Sequence, residues 1–190
     1  MNSILRLVRV LALPLLLFSI AVTASYSDAQ EKDRKDTERD KLIAAAREIM
    51  IAARYCALIT VDASGFAQAR TMDPFPADQD MVVWLATNPK TRKVSEIGKN
   101  LRVVLYYFDL PSQSYVTISG IARLVDDPRE KARHWKDEWK DFYPDREKGY
   151  LLIAVTPDKL EVVSVKKGIT GDASNWNPPS VTFRTPSSSP

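Results

Sequence analysis

Four residues near the middle of the chain have the types and spacing to hold an anion. In the stretch WLATNPKTRKV, Trp84 to Val94, Thr87 and Thr91 supply hydroxyls four residues apart, and Arg92 and Lys93 supply adjacent positive charge. Asn88 followed by Pro89 reads as a helix start: a capping side chain, then a proline where no backbone donor is needed. Unpaired N–H groups point out of such a start. With two hydroxyls and two cations they describe a site for a phosphate or another compact anion. The same turn poses a problem. The first turn of a helix carries partial positive charge and normally collects Asp and Glu. Lys90, Arg92 and Lys93 stand there instead, each costing roughly 0.3–1 kcal/mol at an exposed position. Either the turn holds an anion, or it is a solvated basic surface that tolerates its charges.

A second cation sharpens the question. Arg70 sits between small residues in AQARTM, in the centre of a predicted strand. An arginine there needs an anionic or planar partner, or must face water. If the fold brings Arg70 to the 87–93 turn, the two converge on one anion. Other chemistry is sparse. One histidine, His134, excludes a His-rich zinc site, and no metal site is expected. No G-x-S-x-G elbow accompanies it. One cysteine, Cys56, allows no internal disulfide, and its place in the apolar run CALITV reads as a core thiol. No side chain is singled out as a catalytic acid or base.

The elements that must position these residues are mainly β. Leu42, Ile43, Ala46, Ile49, Met50 and Ala53 recur at helical spacing and predict a helix over 35–54. CALITVD (56–62) and FAQARTMD (66–73) predict a hairpin turning at Ala63-Ser64-Gly65. DPFPADQD (73–80) reads as a loop, and the apolar run MVVWLAT (81–87) as a buried strand. A helix over 89–99 follows. Strands are predicted at 101–110 and 114–126, with Gly120 marking a bulge or bend. Asp127-Pro128-Arg129-Glu130 is a capping box opening a helix to about Phe142. On that helix Trp135, Trp139 and Phe142 share one face and read as core. YLLIAVTP (150–157) and LEVVSVKK (160–167) complete the set. Six or seven antiparallel strands with single interspersed helices suggest a β-barrel rather than an open sheet.

The chain of 190 residues is long enough for one domain, and its net charge of +3 demands no nucleic-acid surface. Its first thirty residues stand apart. Arg6 and Arg9 precede an apolar run from Val10 to Val22, short for a membrane span, and small-x-Ala cleavage patterns end at Ala24 and Ala29. Residues 1–29 read as a general secretory signal peptide. The mature protein is thus expected in a periplasm or outside the cell, without stable membrane insertion. Residues 30–40 read as a charged linker, 41–168 as the barrel domain, and 169–190 as a Pro/Ser-rich, partly disordered tail.

The order helix, CALITVDASGFAQARTM, MVVWLATNPKTRKVSEIGKNLRVVLYYFD, YVTISGIARLVDDP resembles the pyridoxamine 5′-phosphate oxidase-like family, the FMN-binding split barrels, and within it the general stress protein branch. The resemblance covers roughly residues 40–166. It implies a split barrel of about six antiparallel strands, binding FMN as a homodimer with the cofactor at the subunit interface. Carried onto this chain, Arg70, Thr71 and Met72 line the flavin from one strand. Thr87, Thr91, Arg92 and Lys93 hold its phosphate, and Trp84 and Leu85 lie alongside. The oxidase's R-x-H substrate motif is absent, since no histidine follows His134. Trp176 and Arg184 match its C-terminal flavin contacts only loosely.

Three functions follow as expectations. The first is an exported, flavin-dependent oxidoreductase, with the flavin carrying the redox chemistry. The second is a non-catalytic binder of flavin, deazaflavin or haem on the same barrel, with His134 the single histidine available as an axial ligand. The third is an interaction module whose basic turn binds a polyanion.

Overall fold

A computed structural model describes the backbone of residues 12–183 and the side chains of residues 30–183. Helix α1 spans Ala12–Ala53, and the chain divides into compact units at 1–41 and 42–190. In the first unit, the charged segment expected as a linker is helical. Glu31 pairs there with Arg34 at 2.9 Å and Lys35 at 3.2 Å, the i,i+3 and i,i+4 contacts that support an exposed helix. The expected export signal over 1–29 falls where side chains are not described. Among the described residues no helix is long and apolar enough to cross a membrane.

The second unit is mainly β, as expected. Strands β1 (Cys56–Val61), β2 (Ala67–Met72), β3 (Val83–Thr87), β4 (Arg102–Asp109), β5 (Ser114–Val125), β6 (Leu151–Val163) and β7 (Ser180–Thr182) form one antiparallel sheet. The order is β2-β1-β4-β5-β6-β3, with β7 paired to β6. The end strands β2 and β3 do not pair with each other, so the sheet curls without closing, which is the split barrel. Its interior takes alternate residues of each strand. Leu58, Leu85, Leu105, Ile118, Ile153 and Leu160 are fully buried, and Leu42, Ala46, Ile49 and Met50 of α1 join the same core.

Three local expectations change. The strands expected at 150–157 and 160–167 are one continuous β6 that passes through Pro157. The register slips opposite Ser119/Gly120, and a Cβ on Gly120 would lie 2.2 Å from the Thr156 carbonyl oxygen. Gly120 is therefore the bulge glycine that the sequence suggested, required by close backbone approach. Helix α2 begins at Arg92, not Pro89, and runs Arg92–Lys99. The Asn88 side chain caps a turn instead, accepting from the Lys90 N–H at 2.9 Å. The helix expected to reach Phe142 stops early. Asp127 does cap it, accepting from the N–H groups of Arg129 and Glu130, but α3 is only Pro128–Arg133, followed by a 3-10 turn at Asp137–Trp139. In the tail Ser180–Thr182 forms β7 along β6, and TPSSSP lies outside the described residues.

Candidate functional site

The β1–β2 hairpin aligns Cys56 with Met72 and Val61 with Ala67. Its turn is closed by Asp62, whose carboxylate accepts from Ser64 and Phe66 N–H groups and from the Gln68 amide. The Ser64 hydroxyl also donates to it at 2.6 Å, and this bond foremost, with the others, pulls the Asp62 pKa down to about 2. Gly65, at φ +88°, supplies the left-handed residue. The pairing presents Gln68, Arg70 and Met72 on one side of β2 and the exposed Thr71 on the other.

Arg70 finds an anion inside the protein. Its guanidinium donates to a Glu96 carboxylate oxygen at 2.8 Å and to the Thr60 hydroxyl at 2.6 Å, and the Thr60 hydroxyl donates to the same Glu96 oxygen at 2.5 Å. Arg92 reaches the other oxygen of Glu96 with its Nε at 2.8 Å and donates to the Gln68 side-chain oxygen at 3.0 Å. Glu96 is only 5% exposed. Burial alone raises a carboxyl pKa. Here the hydrogen bonds from Thr60 and Arg70, with the charges of Arg70 and Arg92, outweigh burial and hold Glu96 below its ordinary value. Two of the three unexpected cations are thereby explained without a ligand. Arg92 opens α2 opposite its own i+4 acid, and Lys90 precedes the helix.

Lys93 differs. It is half-buried, and its ammonium donates to the Thr87 hydroxyl at 3.1 Å, not to a carboxylate. Burial, then the charges of Arg70 and Arg92, lower its pKa against the opposing pull of Glu96. The Thr87 and Thr91 hydroxyls lie 3.0 Å apart. These three groups border a cavity of about 500 Å³, also lined by Thr71 and Met72. Trp139, Phe142 and Tyr143 also line it. The volume lies within the roughly 300–1,000 Å³ typical of small-ligand sites.

The cavity thus collects five of the nine expected residues: Thr71, Met72, Thr87, Thr91 and Lys93. Arg70 and Arg92 are held by Glu96 and are not in its lining. Nor are Trp84 and Leu85. Leu85 is wholly in the core, and Trp84 stacks on His134 with centroids 4.2 Å apart and rings 20° from parallel. His134 is no surface residue. Its side chain is 13% exposed, and its Nδ1 lies 3.1 Å from the Glu130 carbonyl oxygen. Cys56 is the core thiol expected, buried and pushed up to about 12. Trp176 is 82% exposed and lines neither this cavity nor its neighbour, and Arg184 lies outside the described residues. Among the described residues no cluster of acids, histidine and cysteine has the makings of a metal site.

The aromatic wall was missed. Trp135, Trp139 and Phe142 read as one core face on an uninterrupted helix. With the helix broken after Arg133, Trp139 is buried but Phe142 is 76% exposed beside the cavity. Lys136 helps to fix the broken segment. It donates to Asp73 at 2.7 Å and Trp139 Nε1 donates to the same carboxylate at 3.1 Å, tying this segment to the end of β2.

Comparison with known proteins agrees with this architecture. No curated protein matches the chain significantly. A solved structure related to general stress protein 26, from Clostridium acetobutylicum, superposes with TM-score 0.63 at 19% identity, covering 76% of this chain and 96% of that one. General stress protein 26 from Bacillus anthracis superposes with TM-score 0.58 at 20% identity, over 76% and 98%. A pyridoxamine 5′-phosphate oxidase-related, FMN binding protein from Nostoc punctiforme gives TM-score 0.54 at 13% identity, over 74% and 92%. At these identities the likenesses establish the fold. The sequence profile of the family described as pyridoxamine 5′-phosphate oxidase like matches residues 41–177, most of the chain, and the protein belongs to that family.

Proposed function

We propose that the protein is an exported FMN-binding oxidoreductase, working as a homodimer. One observation carries the cofactor: a single cavity lined by two hydroxyls, an ammonium and three aromatic side chains. Thr87, Thr91 and Lys93 have the donor chemistry for a phosphate. They bond only one another and the Asn88 carbonyl, partners that a phosphate can replace. Trp139, Phe142 and Tyr143 offer the apolar surface a flavin ring requires. Bound FMN would supply hydride or electron transfer itself, and these residues would anchor and orient it. The FMN binding reported for the Nostoc neighbour supports the reading. His134 is stacked on Trp84 and lines neither this cavity nor its neighbour, which favours a flavin over a haem that would need that ring as an axial ligand. Exposed Leu101, Tyr106 and Phe108 on and beside β4 support a dimer surface. Export rests on the pattern of residues 1–29.

The test is a titration of the chain, expressed without residues 1–29, with FMN and with riboflavin. Saturable quenching of FMN fluorescence at one per chain is expected. Riboflavin, lacking the phosphate, should bind about tenfold or more weakly, the loss of one charged hydrogen bond. Equal affinities for the two would remove the role given to Thr87, Thr91 and Lys93. No binding of either would end the flavin reading.

A further inference from the structure

A second cavity of about 370 Å³ adjoins the first, and Arg54, Asp73 and Glu138 line both. Its walls are largely apolar: Met50 and Ile51 from the end of α1, and Pro74, Phe75, Pro76 and Ala77 from the loop after β2. Its charges are unbalanced. Arg47, Arg54 and Lys136 line it with only Asp73 and Glu138 as acids. Asp73 is already committed, since it accepts from both Lys136 and Trp139. Arg47 is held by carbonyl oxygens alone, those of Ala77 at 2.7 Å, Asp78, and Gln79 at 3.2 Å, which fix its guanidinium but leave its charge unneutralised. Arg54 lies over the Tyr55 ring at 5.2 Å and has no carboxylate partner among the described residues. Tyr107 also lines the cavity, and its buried hydroxyl lies against the Cys56 thiol, a weak partner.

We infer that this second cavity is a binding site for a small organic acid with a flat apolar body. The proline and phenylalanine surfaces take the body, and the cationic rim of Arg47 and Arg54 takes the carboxylate. A cationic ligand of the same shape meets the excess positive charge and is rejected. The inference goes beyond the flavin reading in one respect only: the acid would sit beside the flavin because the two cavities share a wall. The acid site itself needs no flavin.

The probes are cinnamate, benzoate and benzylamine, titrated by calorimetry into the protein with and without FMN. Cinnamate is expected to bind both forms, and benzylamine about tenfold or more weakly, which is 1.4 kcal/mol of charge discrimination. Ile51 is 69% exposed and lines only this cavity, so Ile51→Glu should fold normally and leave FMN affinity unchanged. It should weaken cinnamate about tenfold by like charge. Arg54 sits at φ +62°, where glycine is at ease, so Arg54→Gly is a second safe change expected to weaken the acid. Cinnamate binding to protein that takes no FMN would sustain the acid site while ending the flavin reading. Protein that binds FMN but not cinnamate, or that binds benzylamine equally well, would overturn the acid site.

Discussion

Replacing Glu96 by glutamine removes a buried charge while keeping its shape, and so separates the internal ion network from the anion site beside it. The carboxylate accepts from Thr60 and Arg70 on one oxygen and lies 2.8 Å from the Arg92 Nε on the other. A glutamine keeps one acceptor for Thr60 and Arg70. Arg70, with 18% of its side chain exposed, is then left as a nearly buried cation near Lys93. Breaking a buried pair by removing one partner costs about 3–5 kcal/mol. The retained acceptor reduces this, and the 67% exposure of Arg92 leaves its share screened to about 0–1 kcal/mol. The expected loss is about 2–3 kcal/mol, or roughly 4–12 °C in Tm for a chain of this size. The pH dependence gives an independent readout. A carboxyl depressed in the folded state contributes stability above its unfolded pKa and loses it as pH falls through the folded one. Urea melts of the wild type should therefore weaken below the ordinary carboxyl value of 4.5, and Glu96→Gln should lack that share of the slope. FMN should bind the variant at least as well, with stronger salt dependence, because Arg70 and Arg92 lose their internal counterion. Equal midpoints at neutral pH with parallel acid slopes would refute the network's role. Lost FMN binding in a folded variant would refute its separation from the site.

Three further outcomes follow from the same geometry. Lys93→Met should weaken FMN roughly 10- to 100-fold, the loss of one charged hydrogen bond. It should also stabilise the free protein slightly, because a lysine depressed in the folded state makes wild-type stability rise with pH toward 10.5, a rise the variant should lack in urea melts. Gly120→Ala forces a methyl to within 2.2 Å of the Thr156 carbonyl oxygen and should cost about 1–3 kcal/mol by thermal melting, without changing FMN affinity per folded molecule. Cys56, raised to about 12 by burial, should stay unlabelled by a thiol reagent at about pH 8 until the protein unfolds.

How much of this was legible follows from where each signal lies along the chain. The strands were readable because each is a short local pattern bounded by turn residues. Gly120 announced its bulge because a glycine inside a strand has few other uses. Continuity of β6 was not readable: Pro157 and Asp158 look like a turn, and the strand runs through them only because Pro157 pairs with Gly120 of β5 at the bulge. The start of α2 was misplaced for a similar reason, since Asn88-Pro89 makes a good cap for a helix that tertiary contacts begin three residues later.

Arg70 shows the limit most sharply. Its place in a strand correctly demanded an anionic partner, but nothing local could say whether that partner was a ligand or the protein. The answer, Glu96, lies 26 residues away on α2 and becomes Arg70's neighbour only because α2 packs against β1. In sequence, a basic turn and a strand arginine looked like two halves of one anion site. In the fold a single buried acid divides them. Glu96 takes Arg70 and Arg92 as structure, while Thr87, Thr91 and Lys93, which it does not bind, are left for the cavity. The cations that looked alike in sequence thus have different partners in the fold. The aromatic wall was undercounted by the same logic, because Phe142 lines the cavity only where the helix expected to bury it has ended.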